Sequence, residues 1–373
     1  MTLVLRFTDL MRETVEAVDV TTYMPSYVNA ERQFIQLLET DNLDFQVRGN
    51  PSITSCFEEA ITFALKAAYQ PEQQGAATDA AHLFLQRILY RINRLNLFWY
   101  DNLENYKNER SLYLRWCADR IESAWQAWEL QQLNRDTEQL KSTDVKQALI
   151  DHSNADLNPP VSEAKRYLRE EMTLEGYRYL LSITSLDGLV EASRMSRILG
   201  GSSNEIQATL IRVLMEEYGN GRLARKHSTF FANMMAELSL DTEPEAYFDR
   251  VPWEVLAAIN HNFLLTECKQ HFLRYNGGLT YFEVAGPSIY TDYLLAAQRL
   301  QCSNDAMGYW ELHIREDERH GQWMLKEVAL PLADRYPDNA WQLLWGYEQE
   351  KFMGDRAGAA MIRAIKSHER CTS

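Results

Sequence analysis

The sequence predicts an all-α protein, and three observations predict it. Apolar residues recur three and four apart through most of the chain after about residue 25. The 16 Gly and 10 Pro are too few for a turn-rich β architecture. No stretch alternates apolar and polar residues long enough to mark a strand. At 373 residues the chain exceeds the usual single domain, so one helical domain with a helical extension, or two packed helical units, is expected.

Taken in order, NAERQFIQLLETD, CFEEAITFALKAAY, DAAHLFLQRILYRINRLNLFWYDNL and SLYLRWCADRIESAWQAWELQQL read as amphipathic helices. Apolar density then falls through NRDTEQLKSTDVKQALIDHSNADLNPP, which ends in a Pro pair and reads as a boundary. The expected organisation is therefore an N-terminal helical region over 1–135, a linker over 136–160 and a second helical domain over 161–373. In that domain one long helix is expected from Ser162 to Leu199, stopped by Gly200 and Gly201. Ser202, Ser203 and Asn204 are N-cap candidates for NEIQATLIRVLMEEY, which Gly219 and Gly221 break before RLARKHSTFFANMMAEL. Further helices are expected over 252–275, 281–300, 308–336 and 339–366.

Composition excludes several classes of function. A net charge of -15, with no basic cluster interleaved with aromatics, argues against nucleic acid as a partner. No apolar run approaches the roughly 18–20 residues of a membrane span, and no signal peptide is read in MTLVLRFTDLMRETVEAVDV. Five scattered cysteines with no CxxC pair suit neither a disulfide framework nor a thiolate zinc site, so a cytoplasmic setting is expected. With no P-loop, and no GxGxxG after a strand, bound nicotinamide, flavin or ATP is not indicated.

The strongest chemical motif is ELHIREDERHGQ, where offsets of four and seven place His313, Asp317 and His320 on one helix face. The surrounding Arg315, Glu316, Glu318 and Arg319 would equally suit a solvated face. MEEYGNGRLARKH adds Glu216 or Glu217 ahead of His227, and Glu191 and Glu283 sit among apolar neighbours that suggest inward positions. Imidazole and carboxylate without thiolate suit iron or manganese. Helical bundles build dinuclear carboxylate sites from inward Glu and His on several helices. His82, His152, His261, His271 and His368 are set aside for want of a matched carboxylate.

Together, Glu191, the Glu217 to His227 pair, Glu283 and the HxxxDxxH segment resemble the haem-oxygenase-like diiron oxidases and oxygenases, over about residues 165 to 365. The resemblance implies a haem-oxygenase-like bundle with an additional N-terminal helical region used for dimerisation or for bracing the ligand helices. It implies metal ligation by Glu191, Glu217, His227, Glu283, His313, Asp317 and His320, and this set of seven, with one additional carboxylate, is most similar to the N-oxygenase members. Two Fe(II)/Fe(III) ions with O2 as co-substrate would then oxidise an amine nitrogen of a small metabolite to hydroxylamine or nitro, with electrons from an external reductant or reductase. The alternative within the family is oxidative C–C cleavage or desaturation of an amino acid or fatty acid. Phe230, Phe231, Tyr281 and Tyr309 are candidate pocket residues.

Overall fold

The computed structural model describes residues 25–70, 75–97, 102–134, 136–200 and 205–372. Among them there is helix and no strand. The stretch read for a signal peptide and the caps at 201–204 fall outside the described residues.

The N-terminal region holds α1 (Tyr27–Leu38), α2 (Leu43–Gly49), α3 (Ser55–Tyr69), α4 (Ala76–Asn93) and α5 (Leu112–Leu133). Side-chain caps start two of these, Ser26 accepting from the Asn29 amide and Ser111 from that of Leu114. Their apolar faces close a core around Phe34, Phe57, Phe84 and Trp125, which also takes in Ala257 and Met353 from the C-terminal half. These helices therefore pack directly on the ones that follow.

The stretch 136–160, expected as a linker, instead carries α6 (Thr137–Ser142) and α7 (Val145–Leu157). Asp136 and Asp144 cap them, and Leu140, Val145 and Leu149 are buried in the second core cluster. Three buried apolar residues in correct helical register suffice to dock two short helices, although the mean apolar density is low.

The expected helix from Ser162 to Leu199 is interrupted. A short α8 (Glu163–Arg166) passes into a π turn, Thr173 caps α9 (Leu174–Gly188), and a tight turn follows. α10 (Glu205–Glu217), α11 (His227–Glu237) and α12 (Trp253–Glu267) come next. The 252–275 segment ends early at Glu267, and α13 (Phe272–Arg299) runs unbroken through Gly277 and Gly278. A Cβ on Gly277 would stand 2.0 Å from the Leu343 carbonyl oxygen, so these glycines let two helices touch backbone to backbone rather than forming a loop. α14 (Asn304–Trp323), capped by Ser303, passes through a second π turn into α15 (Leu330–Arg335), and α16 (Trp341–Thr372) closes the chain. α13 is the central helix, packed along both α14 and α16.

No helix among the described residues is long and apolar enough to cross a membrane.

Candidate metal centre

The seven side chains singled out in the sequence come together where the second and third core clusters meet, between the end of α9 and helices α10, α11, α13 and α14. His313, Asp317 and His320 are 4%, 2% and 0% exposed, while Arg315, Glu318 and Arg319 on the same helix face outward. α14 is thus amphipathic with its charged pattern split, one stripe solvated and the other turned inward.

Glu217 is the last residue of α10 and His227 the first of α11. The turn between them doubles back through Gly219 at φ +60, where a Cβ would lie 2.4 Å from the Arg225 backbone. His227 Nδ1 consequently approaches Glu217 Oε2 at 2.8 Å and His313 Nε2 at 3.2 Å. Glu191 Oε1 stands 3.9 Å from the first of these nitrogens and 3.7 Å from the second. Glu191 lies in the turn after α9, not on a helix as expected, and the next residue, Ala192, takes φ 59. A side chain with φ in this region is uncommon and here aims its neighbour inward. Gly188 permits the turn, since a Cβ there would meet the Phe231 ring at 2.9 Å.

The other oxygen of Glu217 faces a second set. His320 Nδ1 is 3.4 Å from Glu217 Oε1, 3.4 Å from Glu283 Oε2 and 3.7 Å from Asp317 Oδ1. Glu283 reaches this point from α13, where Pro287 lies four residues on and cannot donate to the Glu283 carbonyl. Gly321 packs against that carbonyl, a Cβ there falling 2.9 Å from its oxygen, and Gly286 leaves room for the Asp317 carboxylate. Two donor groups therefore share one carboxylate: Glu191, Glu217, His227 and His313, and Glu217, Asp317 and His320, the donor atoms within each lying no more than 4.8 Å apart.

Outer partners hold the imidazoles. His313 Nδ1 bonds the Tyr309 carbonyl at 2.9 Å, and His320 Nε2 bonds Glu216 Oε2 at 2.8 Å, leaving the opposite nitrogen of each ring facing the centre. Glu216 and Glu316 also form a group with His320, but both are paired with Arg319 and their charge is already met on the outside. The Tyr309 hydroxyl donates to Glu191 Oε2, and the Tyr290 ring lies 4.7 Å from that of His313.

Burial, then repulsion by Glu217, pushes the Glu191 carboxyl well up. Asp317 is raised likewise by burial and by Glu283, and Glu283 is raised by burial against the pull of His320. Burial also works to raise Glu217, but the hydrogen bond from His227 and the charges of the three histidines outweigh it and leave that carboxyl below its ordinary value. Burial, then His227, lowers His313 to about 4, whereas His320 is raised to about 9 because Glu283, Glu217 and Glu216 overcome its burial. Among the described residues, the buried atoms Glu191 Oε1, Asp317 Oδ2 and His320 Nδ1 of this centre have no hydrogen-bond partner. Buried carboxylates repelling one another, with orphaned acceptors aimed inward, fit a cationic occupant.

Tyr281, a pocket candidate, is not here; it packs edge-on against Tyr347 in the second core cluster. His152, set aside for lack of a carboxylate, does have one in Glu348 at 3.0 Å, but far along the chain from the centre. His82 stacks on Trp253 and His368 on Tyr179. The sequence reading missed Tyr290, which no local pattern marks. It weighed Glu216 only as a substitute for Glu217, although paired acidic residues at a helix end can serve one inward and one outward role.

With its helical fold and its buried centre of glutamates, an aspartate and histidines, the chain has the build of an iron-containing redox enzyme, and residues 178–350, which hold all seven side chains, match that family's model. The match to the iron-containing redox enzymes covers somewhat less than half of the chain. It is also similar to the nitrosourea synthase of Streptomyces achromogenes subsp. streptozoticus, 29% identical over 156 residues. The match covers 41% of this chain and 32% of that protein's length.

Proposed function

We propose that the chain is a non-haem diiron oxygenase that uses O2 to oxidise a nitrogen of a small metabolite. The observation that carries this reading is the Glu217 carboxylate, whose two oxygens face two separate donor sets. Three buried carboxylates (Glu217, Glu283 and Asp317) and the half-buried Glu191 match the charge of two divalent cations, and the mixed oxygen and nitrogen donors without thiolate suit iron. Glu191, Glu217, His227 and His313 would hold one ion, and Glu217, Glu283, Asp317 and His320 the other.

Bound iron would supply the electrons that reduce O2 and the oxidising power. The chain's own residues hold the donors and dry the site. Glu216 and the Tyr309 carbonyl fix which nitrogen of His320 and of His313 points inward. Phe231, Tyr290 and Tyr309 wall the centre on one side, and the Tyr309 hydroxyl holds one oxygen of Glu191. In N-hydroxylation one oxygen atom enters an N–H bond and the other leaves as water. The two electrons come from an external reductant or reductase, and the two protons from solvent.

Oxidation at nitrogen rather than carbon is supported by the relative whose name places its product among N-nitroso compounds, and by the shared carboxylate of Glu217. The reading includes a cytoplasmic setting, which five unpaired cysteines suit, and a homodimer, checked by sedimentation. Anaerobic Fe(II) titration followed by mixing with O2 tests the centre. About two irons per chain are expected, and loss of one binding step in His313→Ala and of both in Glu217→Ala. No iron uptake by the wild-type chain refutes the reading. Products from amine and fatty-acid panels separate N-oxidation, which yields hydroxylamine or nitro compounds, from desaturation or C–C cleavage, which yields alkenes.

A further inference from the structure

The solvent face of α10 is apolar where a surface helix is ordinarily polar. Ala208, Ile211 and Met215 fall on one stripe at offsets of three and seven, and Ile211 and Met215 are 44% and 46% exposed. In the turn that follows, Leu223 is 76% exposed. The opposite face of the same helix is already used: Ile206, Leu210 and Val213 belong to the second core cluster, and Glu217 faces the metal centre. Neither packing nor metal binding accounts for the outer stripe.

Charge supplies an independent observation. The whole chain carries -15, but residues 211–227 hold Arg212, Arg222, Arg225 and Lys226 against two acids, Glu216 and Glu217. Both acids already have partners, Glu216 in His320 and Arg319, and Glu217 in His227. Arg222 and Arg225, on either side of Leu223, are exposed. Arg212 is tied to Glu327 at 2.6 Å, yet its side chain is 43% exposed. The stretch thus shows solvent an apolar centre with a positive rim.

The same face lies against the metal centre. Trp323, half-buried at the end of α14, has the Arg212 guanidinium 3.6 Å from its ring centre and stands 5.6 Å, centre to centre, from the His320 ring. One aromatic ring therefore separates the α10 surface from an imidazole that faces the donors. A few apolar side chains are a small centre beside the roughly 1,600 Å² that stable complexes bury, so the face suits a partner that docks and leaves rather than a permanent second copy. A positive rim on an acidic chain favours an acidic partner and speeds its arrival.

We propose that the outer face of α10 and the turn after it are the docking surface for a small acidic electron-carrier protein, which passes single electrons to the centre past Trp323. The proposal rests on the diiron reading for its meaning, since that reading calls for two electrons from outside. Each docked carrier is oxidised by one electron as the centre is reduced by one, so two encounters supply the pair, and the protons come from solvent. Ile211, Met215, Leu223, Arg222 and Arg225 make the contact, and none of them is among the seven inward donors.

The test is isothermal titration of the full chain, iron-loaded and metal-free, with two acidic probes, an iron–sulfur ferredoxin and a flavodoxin. It is run on wild type, Arg222→Glu, Ile211→Asp and the control Arg110→Glu, an exposed charge in the N-terminal region. Binding of at least one probe with a dissociation constant of roughly 1–100 μM is expected at about 20 mM salt, weakened about tenfold at about 200 mM salt. Arg222→Glu and Ile211→Asp should each weaken it at least about tenfold, with oxidation of the reduced carrier by the oxidised iron-loaded chain slowing in step, while Arg110→Glu changes neither. Thermal melts establish that the surface variants fold. No binding by either probe, insensitivity to salt, or equal binding by all four chains overturns the proposal. A wild-type dimer in sedimentation that Ile211→Asp splits gives the face to a second copy and overturns it as well. Iron titration of the same samples keeps the two readings apart: intact iron uptake without carrier binding refutes the docking surface alone. If the wild type takes up no iron, the diiron reading fails, and the titrations of metal-free chain still decide the surface.

Discussion

Removing Glu216 should disable one metal-binding step and spare the other. This carboxylate is not among the inward donors; it stands behind His320, accepting from Nε2 at 2.8 Å while Arg319 holds the same oxygen at 2.7 Å. The ring is thereby fixed with Nδ1 3.4 Å from both Glu217 Oε1 and Glu283 Oε2. In Glu216→Ala the ring loses the outer hydrogen bond it makes among the described residues, and one face of the second donor set becomes free to turn. Loss of such an outer partner weakens metal binding about 10–100-fold, or roughly 1.4–2.7 kcal/mol. That range overlaps the roughly 1.5–3 kcal/mol of a hydrogen bond to a charged group. Glu191, His227 and His313 do not touch Glu216, so the step they govern should not move. Anaerobic Fe(II) titration, fitted to two steps, reads both affinities, and Glu216→Gln, which keeps an acceptor oxygen, should lose less than Glu216→Ala. Equal weakening of both steps, or no change in either, would refute the assignment of Glu216 as the support of one donor set.

Gly286→Ala puts a Cβ 2.8 Å from Asp317 Oδ2 and should displace that carboxylate, weakening the same step; Gly308→Ala, in ordinary 3.5 Å contact with Phe230, is the control and should leave iron uptake unchanged. Gly346→Ala puts a Cβ 1.9 Å from the Arg274 carbonyl oxygen, so α13 and α16 must separate; a cost of about 3 kcal/mol is expected in urea unfolding, and an unchanged midpoint would count against their backbone contact. Burial, with Glu267 beside it, raises the Glu122 carboxyl from 4.5 to about 8. An acid raised on folding binds its proton more tightly in the folded state, so its cost is absent below pH 4.5 and grows until pH passes 8, to a ceiling of about 5 kcal/mol. Glu122→Gln should therefore stabilise the chain more at pH 8 than at pH 5, and a pH-independent gain would contradict the burial.

What the sequence by itself determined is local. The 3.6-residue period places His313, Asp317 and His320 on one stripe of α14 whatever surrounds it, and the scarcity of Gly and Pro makes the chain helical. The ordered set of Glu191, Glu217, His227 and Glu283 was legible too, because carboxylates among apolar neighbours are out of place unless something meets them inside. Where helices end was less legible. The gap expected between the helices over 252–275 and 281–300 is filled, because α13 runs through Gly277 and Gly278, whose value lies in a contact with the distant α16. Two short helices were hidden at 136–160 because so few apolar residues dock them.

Only the tertiary structure decided which way the charged side chains face and what stands behind them. Periodicity assigns a residue to a stripe but does not say which stripe meets another helix, so the outward role of Glu216 and the inward role of Glu217 separate only once α10 is laid against α14. Tyr290 carries no local mark, because what distinguishes it is a neighbour supplied by a different helix. Electrostatics follows the same division: charge is written in the sequence, but desolvation and the distance to the next carboxylate exist only after the helices have closed around them.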